Sequence, residues 1–152
     1  MLGGITIPDS PGLSGHSDGD AILHAITDAL LGAASLGSIG ESFPDDDSSY
    51  AGADSSQLLI EVVEVLRRAG FHVVNADVTV IAEHPRIQPH ARSMEERIAD
   101  LLGLSAGDVC VKGKTNEGMG WIGRKEGLAV MATVLIDRVR EPDEPDVNRR
   151  DR

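Results

Sequence analysis

Residues 57–82 read QLLIEVVEVLRRAGFHVVNADVTVIA, and the hydrophobic period changes midway through them. Over 57–69, Leu58, Leu59, Val62, Val63 and Leu66 recur at helical spacing, Arg67 and Arg68 stand in the last turn, and Gly70 is a stop. Over 73–82 the period becomes two: Val74, Ala76, Val78 and Val80 share one face, Asn75, Asp77 and Thr79 the other. A helix thus feeds a half-buried strand, and Pro85 and Pro89 close it. On the N-terminal side, Ile22, Leu23, Ile26, Leu30 and Leu31 predict a helix capped by Asp18 or Asp20 and ending near Ala34. Before it, Met1 to Ile7 reads as a short strand weakened by Gly3-Gly4. On the C-terminal side come a helix over 90–102 and strands over 109–114 and 128–137. The order βααβαββ predicts an α+β domain, a two-layer sandwich in which a mixed sheet carries helices on one face. The other face must be solvated or pack on another subunit, and because 128–137 is apolar at nearly every position the second is expected. Residues 1–137 form the domain, and the alternating charges and prolines of 138–152 read as a disordered tail.

The chain has 152 residues, enough for one domain with a substantial core. Its 14 basic against 25 acidic residues leave a net charge of −11, which disfavours nucleic acid and anionic membrane as partners. A phosphorylated ligand must then be met by local features: metal ions, helix N-termini or a few placed bases. Cys110 is the single cysteine, which excludes an internal disulfide and suits a reducing cytoplasm. The longest apolar run, 129–136, is far short of the roughly 20 residues a spanning helix needs.

Three segments carry chemistry. In Gly15-His16-Ser17-Asp18-Gly19-Asp20, a loop bearing His and Ser enters a helix N-terminus, a ready anion site. His24 follows four residues after Asp20 and four before Asp28, so all three share a helix face and either carboxylate could orient a metal-bound imidazole. The same residues also suit a capped helix with a satisfied histidine. In the second segment, Ala82-Glu83-His84-Pro85-Arg86-Ile87-Gln88, Pro85 and the following Pro89 stiffen a loop whose backbone can read a planar ligand and whose Arg86 can meet phosphate. The third, 112–127, gathers Lys, Thr and Arg with glycines, as backbone cradling of phosphate requires, without the spacing of a Walker loop. Glu117 there could hold a divalent cation, and a long hairpin loop is the plainer alternative. Residues 41–56, acidic and polar, are a candidate lid.

Together with Thr27 to Ala33, Ile39-Gly40 and Phe43-Pro44-Asp45, these segments resemble the 2-C-methyl-D-erythritol 2,4-cyclodiphosphate synthases over residues 2–137. The resemblance implies a cytoplasmic homotrimer with active sites at subunit interfaces; a plastid-like compartment of bacterial origin is the alternative location. The implied reaction closes 4-diphosphocytidyl-2-C-methyl-D-erythritol 2-phosphate to the cyclic diphosphate and releases CMP, in the non-mevalonate isoprenoid route. By position, His16 and Thr115 would be catalytic. His16, Ser17, Ser38, Ile39, Gly40, Phe43, Pro44, Asp45, Asp46 and Asp47 would bind the phosphorylated methylerythritol end. Ala82, Glu83, His84, Pro85, Arg86, Ile87, Gln88, Lys114, Thr115, Asn116 and Glu117 would hold the cytidine diphosphate, with Trp121 and Arg124 beside them.

His24 matches a zinc ligand, and Glu117 would bind a second divalent cation, magnesium or manganese, with the substrate phosphates. In the family an Asp-x-His pair supplies the other two zinc ligands on a strand that is expected to lie ahead of Met1. Ser38 stands where an aspartate usually contacts substrate hydroxyls, and Lys114 where threonine is common. The alternatives that follow are a catalytically impaired trimer that binds CDP-type ligands, and a metal-dependent phosphohydrolase.

Overall fold

The computed structural model describes residues 1–8, 18–44 and 52–139. Helices α1 (Ala21–Ala33), α2 (Ile39–Ser42) and α3 (Ser55–Arg68) precede strand β1 (Phe71–Ile81). Helix α4 (Ala91–Leu102), strand β2 (Val109–Lys114), the short helix α5 (Gly120–Gly123) and strand β3 (Ala129–Arg138) follow. The sheet order is β2-β1-β3, with β2 parallel and β3 antiparallel to β1, so the sheet is mixed as expected. Helices α1, α3 and α4 cover one face, α1 against β3 and α4 against β2. Between them lie Ile22, Leu23, Ile26, Leu30, Leu59, Val62, Leu66, Val78, Val80, Met94 and Ile98, all essentially inaccessible to water. No described helix is long and apolar enough to cross a membrane.

Helix ends follow local chemistry. The side chain of Asp54 accepts the Ser56 N–H at 2.8 Å, so α3 begins at Ser55, two residues before the expected start at Gln57. Helix α4 ends on Gly103 at φ 69°, and the Leu104 N–H returns to the Ala99 carbonyl at 2.9 Å. On the outer edge of β2, the Val111 N–H donates to Glu95 of α4 at 3.1 Å, satisfying an edge-strand donor.

The expected first strand is instead a tight turn. Leu2 and Ile5 bridge each other, and Gly3 and Gly4 between them both hold positive φ, 63° and 73°. Within β1 the pairing with β3 slips between Val73 and Asn75. The extra residue moves Val74 off the face it was expected to share with Ala76, and Val73 is buried there in its place. Residues 115–127 do not close a hairpin, because β1 lies between the strands they join.

Strand β3 splits its apolar residues between two faces. Val130, Ala132, Val134 and Ile136 pack toward the core, whereas Met131 and Leu135 are 66% and 54% exposed on the uncovered face. The expectation that 130–136 as a whole waits for another subunit is thus corrected to its odd-numbered members, since α1 covers the others. Beside them on β1 and β2 the uncovered face is polar. Lys112 lies 2.6 Å from the Asp77 carboxylate, a hydrogen bond that raises the lysine above its ordinary pKa, and Cys110 is exposed nearby. Strand β3 runs to Arg138, whose guanidinium sits 4.9 Å from the Phe71 ring centre, and residues 140–152 lie outside the described residues.

Candidate functional site

Hydrogen bonds gather the candidate residues into two groups with no member in common. The first surrounds the start of α1. Asp20, 0% exposed, caps the helix by accepting the Ile22 and Leu23 N–H groups at 3.1 Å each. Its carboxylate also accepts the N–H of Gly3 at 2.8 Å and of Gly4 at 2.7 Å. Asp28 accepts the Ile39 N–H at 2.8 Å. Both carboxylates that flank His24 along the helix are therefore turned to backbone donors, and the expectation that one of them orients the imidazole is corrected. Nε2 of His24 lies 2.9 Å from the hydroxyl of Ser55, at the start of α3, and that hydroxyl donates to Asp18. The hydroxyl of Ser38 caps α2 and lies 3.3 Å from Glu41, so it is engaged locally. His16, Ser17 and Asp45 to Asp47, with the 45–51 part of the candidate lid, lie outside the described residues.

The second group stands where β1 and β2, being parallel, end side by side. The pairing continues past β1 as the Ala82 N–H donates to the Lys114 carbonyl at 2.9 Å. Glu83 then reaches across and accepts the N–H groups of Asn116 and Gly118, both at 3.0 Å. One half-buried carboxylate thus holds the turn of the glycine-rich segment against the 82–88 loop. Within that turn Thr115 donates to Glu117 at 2.7 Å, and Asn116 Nδ2 to the Met119 carbonyl at 2.7 Å. Glu117, Gly118 and Gly120 hold φ of 51°, 71° and 62°, a tight path at an exposed turn.

In the 82–88 loop, Pro85 and Ile87 are buried, while His84, Arg86 and Gln88 are exposed. Ile87 packs over Gly113, where an added Cβ would stand 2.8 Å from that of Ile87. Trp121 is half exposed along Gly127, and Arg124 is held by Glu126 through bonds of 2.7 and 3.1 Å. Lys114, Thr115 and Glu117 are exposed.

Gly123 sits directly on the backbone of Gly118, so a side chain there would overlap the Gly118 peptide. Gly123→Ala is accordingly expected to cost about 1–3 kcal/mol and to displace the 115–118 turn, since neither partner is a rotatable side chain. Denaturant titration with tryptophan fluorescence checks it, and an unchanged midpoint would contradict the close approach.

Among the described residues no group of three or more His, Cys, Asp or Glu is arranged to hold a metal ion. A catalytic zinc takes three protein ligands, so His24 with its Ser55 and Asp18 neighbours does not by itself fit one. Magnesium is a different case, being held through one or two carboxylates with water and phosphate oxygens, and the exposed Glu117 fits that.

The family model described as the YgbB family matches residues 1–137. The 2-C-methyl-D-erythritol 2,4-cyclodiphosphate synthase of Gemmatimonas aurantiaca is 57% identical over 135 residues, 89% of this chain and 81% of that protein. Among solved structures, the bifunctional IspDF of Campylobacter jejuni superposes with a TM-score of 0.87 at 41% identity, covering 91% of this chain and 37% of that one. IspF of Plasmodium falciparum, solved as a CDP complex, gives 0.80 at 32% identity, covering 91% of this chain and 83% of that one. A family match across nearly the whole folded domain, joined to this level of identity, leaves one placement: the chain belongs to the YgbB family, alongside the 2-C-methyl-D-erythritol 2,4-cyclodiphosphate synthases.

Proposed function

We propose that this chain cyclises 4-diphosphocytidyl-2-C-methyl-D-erythritol 2-phosphate. An oxygen of the 2-phosphate attacks the phosphorus nearer the erythritol, and the bond from that phosphorus to the cytidylate oxygen breaks. The cyclic diphosphate forms and CMP leaves with the electron pair. The observation that carries this reading is the Glu83 clamp, which holds the exposed glycine-rich turn beside the 82–88 loop in a chain similar to a CDP-bound relative. An intramolecular attack needs positioning and charge neutralisation more than a strong base. In this reading the 82–88 loop and 114–117 bind the cytidine diphosphate, Thr115 polarises a phosphate, and Arg124 and Lys114 offset its charge. His16, Ser17 and the 38–47 region take the methylerythritol end, with His16 meeting the reacting phosphate. A divalent cation at Glu117 would neutralise phosphate charge.

The assay is CMP release from the cytidyl substrate. Turnover that falls at least tenfold in Thr115→Ala supports the reading, and release unchanged by that substitution overturns the role given to this turn. CMP and CDP are expected to bind, more tightly with magnesium, in calorimetric titration; no binding at millimolar ligand would remove the carry-over of the pocket.

A second reading, a binder of cytidine nucleotides with little turnover, is favoured by one observation, the engagement of the Ser38 hydroxyl with Glu41. It predicts nucleotide binding without CMP release.

The assembly proposed with the enzyme is a homotrimer in the cytoplasm. Its support is the exposed pair Met131 and Leu135 on the uncovered sheet face, where burial would stabilise association. Sedimentation at micromolar concentration is expected to give three times the chain mass, and Leu135→Glu to dissociate it. A folded monomer would refute the assembly.

A further inference from the structure

Asp28 lies on the exposed side of α1, and the reaction described above gives it no part. Its carboxylate is nonetheless committed, for Oδ1 accepts the Ile39 N–H at 2.8 Å across 11 residues of sequence. Ile39 opens α2, a helix of four residues with no buried member. So short a helix does not hold itself in water, because ordering its first turn costs more than its own hydrogen bonds return. Its place therefore depends on what it touches. Phe43, just past its C-terminal end, packs against the core, and at its start Asp28 takes the Ile39 N–H.

The link from α1 to α2 supplies shape without supplying that hold. Helix α1 closes with the Ser35 N–H on the Gly32 carbonyl at 3.1 Å and the Leu36 N–H on the Leu31 carbonyl at 2.9 Å. Ser35 and Gly37 then turn the chain through φ of 57° and 90°, and the Glu41 carboxylate lies directly over Gly37, where a side chain would collide with it. Ser38 Oγ accepts the Glu41 N–H at 3.4 Å, a local bond that shapes the turn and ties it to nothing further off. Among the described residues, the bond from Ile39 to Asp28 is the one hydrogen bond that joins the start of α2 to α1, which is itself seated in the core through Ile22, Ile26 and Leu30.

We propose that Asp28 is a positioning residue: by holding the Ile39 N–H it fixes the turn that carries Ser38, Ile39 and Gly40, and so sets affinity for the phosphorylated polyol end of the ligand and not for its cytidine diphosphate end. The clause about the ligand rests on the site reading above, whereas the anchoring of α2 rests on the hydrogen bond alone. Without the anchor the start of α2 samples other paths, and the free energy of restoring the bound one is taken from binding. The glycine-rich turn and the 82–88 loop are held by Glu83 instead, so the loss is confined to one end of the ligand. Electrostatics acts in the opposite sense, since removing a carboxylate near a phosphate by itself tightens binding.

The test joins amide hydrogen exchange to calorimetric titration with two ligands, the methylerythritol cyclic diphosphate and CDP. In Asp28→Ala the Ile39 amide is expected to exchange about tenfold faster or more, because local opening no longer has to break its bond. The same variant is expected to bind the cyclic diphosphate about tenfold more weakly. Its affinity for CDP is expected to stay within about twofold, as for sites that share no partner. Asp28→Asn keeps a carbonyl oxygen for the Ile39 N–H, and both the exchange rate and the cyclic diphosphate affinity are expected within about threefold of the wild type. Unchanged exchange at Ile39 in Asp28→Ala overturns the anchoring, and an equal loss for both ligands, or none for the cyclic diphosphate, overturns the positioning role. If Ile39 responds as expected while no form of the protein binds either ligand, the cyclase reading fails and the anchoring stands. Should Asp28→Ala fail to fold, Asp28→Ser, which shortens the side chain and keeps it polar, reads the same amide and the same two ligands.

Discussion

Asp20→Ala is expected to lower the stability of the domain by about 3–5 kcal/mol, the largest effect of any single polar substitution considered for this chain. The carboxylate is inaccessible to water and accepts four backbone N–H groups. Two belong to the first turn of α1, and losing a cap of that kind costs about 0.5–2 kcal/mol. The others, from Gly3 and Gly4, have no neighbour in a helix or strand to turn to, and a buried donor left unmatched costs about 1–3 kcal/mol. The turn they belong to carries Leu2, 3% exposed, into the core, so release of the turn also exposes apolar surface. Asp20→Asn separates the contributions. Its carbonyl can take the place of Oδ1, which serves Gly3, Ile22 and Leu23, but its amide group then faces the Gly4 N–H, donor to donor. A loss of about 1–3 kcal/mol is expected for it. Urea unfolding measures both, and a loss below about 1 kcal/mol for Asp20→Ala would mean that the glycine turn is not held by this carboxylate.

That turn also marks where reading the sequence stopped short. Periodicity located α1, α3, α4, β1, β2 and β3, because each buries one face and the burial pattern is written into neighbouring residues. It missed the bulge at Val74, since an unpaired residue leaves no mark on an otherwise alternating Val-rich run. It read Met1 to Ile7 as extended because nothing nearby shows that a carboxylate seventeen residues on will hold the two glycines. The candidate site divides in the same way. Loops rich in Gly, Pro, Thr and Lys were visible as loops, and their likeness to a known family gave them roles. Which side chain holds which loop was not visible, because Glu83 to Gly118 and Asp18 to Ser55 are pairings over more than thirty residues. Glu83 had one legible sign: an acid between the buried Ala82 and Pro85, at a strand end, needs donors close by.

Glu83→Ala is expected to weaken CDP binding about 10–100-fold, equivalent to about 1.4–2.8 kcal/mol, while changing global stability by less. The two N–H groups that Glu83 accepts are on a turn whose backbone passes through three positive φ values, at Glu117, Gly118 and Gly120. Such a path has many alternatives when nothing holds it, and the entropy of restoring it must then come out of the binding free energy. The freed donors are near the surface and can bond to water, so the fold loses little, and the cost is expressed when the turn has to close on phosphate. Glu83→Gln tests whether geometry or charge matters: its carbonyl oxygen can accept both N–H groups, so affinity is expected to stay within about threefold of the wild type. Removing a negative charge beside a diphosphate would by itself favour binding, since opposite effects of charge and clamp act on the same ligand. Calorimetric titration with CDP and magnesium therefore distinguishes the two: tighter binding in both variants means that Glu83 acts as a repelling charge, whereas a loss confined to Glu83→Ala means that it acts by holding the turn in place.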